Sequence, residues 1–245
     1  MADLDGKLRK ADELYDLLAD GDRIGVGLSG GKDSTALLWA LAKLRSYCGK
    51  QFELVGLTID PQFGGKEGDF SALTAFCNSI GVQHVIKRDN LYEVVFETRK
   101  EKNPCALCAR MRRGSLHKLA KEQGCNKVAL GHHMDDAAAT FWLNLLHEGR
   151  IGSFSPKTYL DRSDITVIRP MVLCRESEII AAANKLGIPV IKSGCPVDGS
   201  TERQRMHELM QQLQHICPDL EERTFAAMQR SAVSGYGTNR KENTL

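Results

Sequence analysis

Ser29-Gly30-Gly31-Lys32-Asp33-Ser34 (SGGKDS) stands between the apolar run RIGVGL at 23–28 and the segment TALLWALAKL at 35–44. A glycine pair between a strand-like run and a helix-like segment is the layout of a phosphate loop. Two familiar fingerprints almost fit. Gly25-Val-Gly27-Leu-Ser-Gly30 spells G-x-G-x-x-G, but that dinucleotide pattern needs a strand that ends before its first glycine. Only Arg23 and Ile24 separate Gly25 from the turn-like Gly21-Asp22, so the strand runs through both glycines. Walker A fails because Asp33 stands where Ser or Thr must reach magnesium. The remaining unit is strand–loop–helix with the turn at Ser29–Asp33. There Ser29 and Ser34 offer hydroxyls, Lys32 offers charge, and the helix start favours an anion. The plain alternative is a Gly-rich turn with Ser34 as a helix cap.

Outward from this loop, the pattern alternates. Leu4, Leu8, Ala11, Leu14, Leu17 and Leu18 recur at helical spacing and predict an opening helix that stops at Gly21. Strands are expected at 23–28, 52–60, 82–88, 127–132 and 165–171. Helices are expected at 34–47, near 69–80, and at 105–123, 134–147 and 175–187, with two more over 201–231. A polar loop is expected at 148–164 and a frayed tail from SGYG (234–237) onward. This alternation predicts an α/β fold with a doubly wound, mainly parallel, five-stranded sheet and ligands at the carboxyl ends of the strands. Residues 1–200 form the expected phosphate-loop domain, and 201–245 a C-terminal helical appendage and tail.

The composition is ordinary for a soluble chain: 245 residues, 42% hydrophobic, 26% charged, formal charge +2. Any nucleic-acid surface must therefore be local. No apolar stretch is long enough to span a bilayer, and the charged N-terminus lacks a signal's apolar core, so a cytoplasmic protein without a membrane partner is expected. In that compartment eight cysteines read as buried residues, metal ligands or redox groups rather than as disulfides.

A second constellation, GHHMDDAAAT (131–140), falls at the end of the fourth predicted strand, on the edge that carries SGGKDS. Asp135 and Asp136 suit magnesium on a triphosphate, and either could equally cap the following helix. Asp60 and Arg169 lie at further strand ends, Asp60 as a nucleotide contact and Arg169 as a phosphate or substrate contact. Cys105-Ala-Leu-Cys108 has metal-ligand spacing at a helix start, and Cys195 sits in a loop-like SGCP far along the chain. Three thiolates fall short of a four-ligand zinc site and could hold three irons of a 4Fe–4S cluster; both metals accept soft ligands. Cys48, Cys77, Cys125, Cys174 and Cys217 read as packing residues. Arg110, Arg113, His117 and Lys121 share one face of the helix after the CxxC, with Arg112 and Lys118 beside it. That face is either solvated or an RNA-backbone contact.

SGGKDS resembles the SGGxDS signature of the PP-loop ATP pyrophosphatases, whose fold is that of the adenine nucleotide alpha hydrolases. GHHMDD resembles the element of that family's tRNA-modifying branch. The run CALCARMRRGSLHKLAKEQGCNKVALGHHMDD, with IRPMVLCRESEII and SGCP after it, is similar to the tRNA 2-thiocytidine synthetases over roughly residues 20–215. The resemblance implies that ATP is cleaved between its α- and β-phosphates and that a base carbonyl, a cytidine C2 oxygen in tRNA, is adenylated and then replaced by sulfur. It places ATP on Ser29, Gly30, Gly31, Asp33, Ser34, Gly131 and His132, beside the charge of Lys32 and the strand-end residues Asp60 and Arg169. Mg2+ falls near Asp33, Asp135 or Asp136, which with Lys32 form the implied catalytic set. A 4Fe–4S cluster falls on Cys105, Cys108 and Cys195. The implied partners are tRNA and a sulfur donor such as a cysteine desulfurase or free sulfide, with a homodimer left open. The chain departs from many members in having no second cysteine near Cys195. Lysidine synthetases share the ATP motifs but leave the cysteines without a role. The related uridine thiolases carry paired CxxC motifs that are missing here. A non-catalytic nucleotide-binding or electron-transfer module would not need both intact motifs.

Overall fold

The first strand, β1 (Asp22–Gly27), buries Ile24 and Val26 in one core and turns Gly25 and Gly27 to the other face. A Cβ on Gly25 would meet Leu57 Cδ1 at 2.5 Å, and one on Gly27 would meet Leu116 Cδ2 at 3.0 Å. These glycines therefore let a helix settle closely on the sheet, and the G-x-G-x-x-G match is one of packing. The computed structural model describes residues 4–99, 104–191, 194–195 and 202–237, without the side chains of 203 and 204.

Beside β1 run β2 (Phe52–Asp60), β3 (Gln83–Arg88), β4 (Lys127–Ala129), β5 (Lys157–Leu160) and β6 (Ile165–Ile168), in the order β3-β2-β1-β4-β6-β5. All neighbours pair in parallel except β5, which runs antiparallel to β6. The doubly wound, mainly parallel reading holds, with six strands in place of five. The sixth lies within 148–164, which the polar composition suggested was a loop. It is an edge strand with one neighbour and two exposed residues, Lys157 and Tyr159, so it lacks an apolar run.

On one face, α1 (Leu4–Tyr15), α2 (Lys32–Arg45) and α6 (Glu176–Leu186) share a core with Ile24, Val26 and Leu54. On the other, α4 (Pro104–Glu122) packs Leu116, Leu119 and Ala120 against Val55, Leu57 and Val128. Successive residues of β2 thus go to opposite cores, which accounts for its continuous apolar run. A short α3 (Ser71–Ser79) precedes β3, and a π-helical turn (Glu93–Thr98) leads toward α4.

Three more helices follow the same logic. The alanines of α5 (Met134–Glu148) receive Met206 and Met210 of α7 (Glu202–Gln214), and α8 (Leu220–Arg230) adds Phe225 and Met228 to the first core. Tyr236, expected in a frayed tail, is fully buried, edge-on to Tyr15 and Phe225; residues 238–245 lie outside the described set. Among the described residues no helix is long and apolar enough to cross a membrane.

The strand order reverses between β1 and β4, and at such a switch point loops from neighbouring strands diverge to leave a crevice. At the opposite end of the sheet, Lys127 Nζ meets Asp22 Oδ2 at 2.6 Å and donates to the Leu17 carbonyl at 2.7 Å, with both side chains buried. Removing one member of such a pair strands the other charge. Lys127→Met is expected to lower unfolding free energy by about 3 kcal/mol, with part regained by adding Asp22→Asn. Urea midpoints of the three proteins test this, and an unchanged single variant contradicts it.

A candidate ATP and thiolate site at the sheet switch point

The phosphate loop follows β1 directly. Gly30 has φ +84°, a left-handed conformation open to glycine, and Gly31 begins α2 with no side-chain cap. Ser34 therefore does not cap the helix. Its Oγ accepts from the Ser29 N–H at 3.2 Å and donates to the Gly31 carbonyl at 3.1 Å, stitching the loop closed. The N-terminus of α2 is left without a side-chain cap, as an anion site requires.

The second loop is pressed against the first. A Cβ on Gly131 would lie 3.0 Å from Ser34 N and 3.1 Å from Asp33 C, both backbone atoms. No side chain fits between the loops. Just beyond, His133 precedes α5, and its N–H donates to Asp136 Oδ2 at 3.1 Å. His133 Nδ1 lies 3.4 Å from Asp135, and Nε2 lies 3.4 Å from Asp136. Burial works against the imidazolium, yet these two carboxylates and Asp33 outweigh it and raise the pKa. The place of His133 is between acids.

The predicted acidic residues divide by environment. Burial pushes the Asp33 carboxyl up, Lys32 and His133 oppose the rise, and Asp136 adds to it. Its Oδ1 lies 3.2 Å from Lys32 Nζ. Asp135 is half-buried, but His133, the Glu176 N–H at 2.9 Å and Arg175 hold it below its usual value. Asp135 thus fastens α6 to α5, whereas Asp33 and Asp136 crowd each other. Two carboxylates crowded together beside the phosphate loop are a donor set that suits a magnesium ion. Lys32 Nζ is held by Glu176 at 2.8 Å and by Asp33 at 3.2 Å, and these partners overcome burial to raise its pKa. Glu176 was read only as part of a helix; it is the lysine's counter-charge.

Arg169 and His132 flank the site from behind. The Arg169 guanidinium lies 4.9 Å over the Phe154 ring, and that ring lies 5.0 Å from His132. Arg169 Nη1 donates to the Ser155 carbonyl at 2.6 Å, while burial lowers its pKa. Asp60 ends β2 and accepts from the Gln62 N–H at 3.0 Å and the Gly68 N–H at 2.9 Å. Both its oxygens are committed to shaping the following loop. That loop, with Ser29, Gly31 and Arg112, lines a cavity of about 400 Å³. A second, apolar cavity of about 150 Å³ adjoins it at Ser29, Ile59 and Arg112.

Three cysteines lie within electrostatic reach of one another near these cavities. Cys108 is buried, which pushes its thiol up; Arg112 draws it down, and Cys195 and Cys105 push it up again. Cys105 and Cys195, far apart in sequence, thus both act on Cys108. As they stand, no three His, Cys, Asp or Glu side chains among the described residues are close enough to hold a metal. The donor set, three soft sulfurs, nonetheless fits an iron–sulfur cluster. Residues 100–103, 192–193 and 196–201, which flank these cysteines, lie outside the described set. The remaining cysteines behave as packing residues where buried: Cys77 is pushed up to about 11 and Cys174 to about 12. Cys48 and Cys217 are half-buried.

On the basic helix face, Lys121 is paired with Asp164 at 2.9 Å, and burial lowers the His117 pKa. Arg112, off that face and one turn beyond Cys108, is the arginine that reaches both cavities. Its four-residue offset from Cys108 was the available signal.

The chain matches the PP-loop domain family over residues 6–213. It is 40% identical over 217 residues to the tRNA-cytidine(32) 2-sulfurtransferase of Syntrophotalea carbinolica, covering 87% of this chain and 83% of that protein. To the enzyme of the same name from Dechloromonas aromatica it is 38% identical over 233 residues, covering 94% and 80%. In fold it is similar to the U34-tRNA thiolase NcsA from Methanococcus maripaludis, solved with its [4Fe-4S] cluster. The TM-score is 0.75 at 22% identity, over 94% of this chain and 78% of that one.

Gly131→Ala must push the two loops apart. It is expected to cost about 1–3 kcal/mol of stability, as overpacking does, and to weaken ATP binding measured by calorimetry. Unchanged ATP affinity would show that the loops do not act together.

Proposed function

The chain belongs to the PP-loop domain family, and on that premise we propose that it is an ATP-dependent tRNA sulfurtransferase acting on a cytidine C2 carbonyl. The observation that carries this reading is an uncapped phosphate loop whose carbonyl at Gly30 is bonded to the segment leading to Cys195, which acts with Cys105 on the buried Cys108. The names of the relatives, which share more than a third of their residues with it, point the same way.

ATP lies with its β- and γ-phosphates on the loop of Ser29, Gly30, Gly31 and Ser34. The uncapped N-terminus of α2 receives them, and Lys32 turns from Glu176 to the added negative charge. Asp33 and Asp136 hold magnesium against the phosphates, with Asp135 fixing the position of α6. The base oxygen attacks the α-phosphorus, and the phosphate loop stabilises the departing pyrophosphate. The base carbon then carries AMP as its leaving group. Free sulfide forms the C–S bond as the C–O bond breaks. AMP leaves with the oxygen, the S–H proton goes to solvent, and no electrons are transferred. Cys105, Cys108 and Cys195 would hold a 4Fe–4S cluster, which when bound supplies an attachment point for sulfur. Arg112 balances the negative charge of the thiolates next to the cavity.

Anaerobically purified protein is expected to carry iron and acid-labile sulfide and to form 2-thiocytidine in tRNA with ATP. Cys195→Ala is expected to lose the iron and the thiolation while binding ATP unchanged. Zinc in place of iron, or a Cys195→Ala protein that still thiolates, would contradict the assignment.

A further inference from the structure

Sequence shows no aromatic residues among the arginines of the cysteine helix, but the fold brings them there from elsewhere. Phe63 lines the 400 Å³ cavity across from Arg112 and beside the phosphate loop. Its ring stands edge-on to Tyr92 at 6.3 Å, and Tyr92 stacks on Phe96 at 5.2 Å. The loop that carries Phe63 is held in a defined shape. Asp60 accepts a hydrogen bond from each end of it, Pro61 accepts from the Tyr92 N–H at 3.1 Å, and Gln62 takes a left-handed φ of 52°. A left-handed conformation at a residue other than glycine persists where the surroundings enforce it, and such positions gather at functional sites.

We propose that Phe63 is the stacking surface for the acceptor nucleobase, with Tyr92 and Phe96 as its backing. This rests on the tRNA sulfurtransferase reading and adds the residue that receives the base. The position meets the two demands of the chemistry. The base must reach the phosphate loop to be activated, and Ser29 and Gly31 line the same cavity. It must also reach the sulfur side, and Gly194 packs on Phe63 so closely that a Cβ there would lie 3.4 Å from Phe63 Cβ, with Cys195 next in the chain. An unpaired base turned out of RNA stacks on an aromatic face, and Arg112 opposite supplies a planar cation for its phosphate or carbonyl. The adjoining apolar cavity shares Ser29 and Arg112 and provides a second space on the same loop.

The test uses the full chain, assembled anaerobically, with tRNA and ATP. Phe63→Ala is expected to raise the KM for tRNA about tenfold, the scale of one lost base–aromatic stack, with the KM for ATP unchanged. Phe63→Trp is expected to keep activity and to add fluorescence, over the Trp39 and Trp142 background, that tRNA quenches and ATP does not. Quenching by ATP alone, or a raised KM for ATP with that for tRNA unchanged, would assign the cavity to adenine and overturn the proposal. A wild-type protein that thiolates no tRNA would overturn the functional reading beneath it. An active wild type matched by Phe63→Ala would overturn the stacking role only.

Discussion

The contact between Gly131 and the backbone of Asp33 and Ser34 governs how the site is assembled. A parallel sheet whose strand order reverses must leave a gap between the strands on either side of the reversal, here β1 and β4. The loops that leave those two strands are SGGKDS and GHHMDD, so the topology delivers both to one crevice. Glycine at 131 then lets them touch, at distances no side chain would allow. Asp33 and Asp136 are brought within electrostatic reach of each other by that contact, and His133 is held between acids. The cost of crowding buried carboxylates is offset by Lys32 and His133, which leaves an electrostatic arrangement suited to a cation and a polyphosphate.

The same edge explains why α4 matters. Gly25 and Gly27 allow this helix to lie close on β1 and β2, with Leu116 and Leu119 in the core beneath it. That seating fixes Cys108 in a buried position and aims Arg112 at the cavities. The glycines that mimic a dinucleotide fingerprint thereby serve the thiolate side of the site. Cys195 arrives from the far side of α6, after a segment whose Ile191 N–H donates to the Gly30 carbonyl at 2.8 Å. The phosphate loop and the third cysteine are thus connected through one short strip of backbone.

Much of this was legible in the sequence because the motifs sit at strand ends, where periodicity changes from two to nearly four. The alternation of elements, the placement of SGGKDS after a strand, and the inert character of Cys77 and Cys174 all followed from pattern and residue type. Other features had no local signal. The edge strand Lys157–Leu160 owes its existence to pairing with β6, and Tyr236 is buried by α1 and α8 although its neighbours are polar and small. Glu176 and Arg112 acquire their roles through long-range contacts, Glu176 with a lysine 144 positions away. Asp60 was placed correctly at its strand end, but that its two oxygens would be spent on a loop was visible only in three dimensions.

The central claim is that the phosphate loop activates the base for sulfur by cleaving ATP at its α-phosphorus. The most direct test is to quantify AMP, ADP and thiolated nucleoside together in an anaerobic reaction of the assembled protein with tRNA, ATP and sulfide. AMP and thiolated nucleoside formed in equal amounts, with no ADP, is the predicted result. ADP as the nucleotide product, or thiolation that proceeds without AMP, would contradict it.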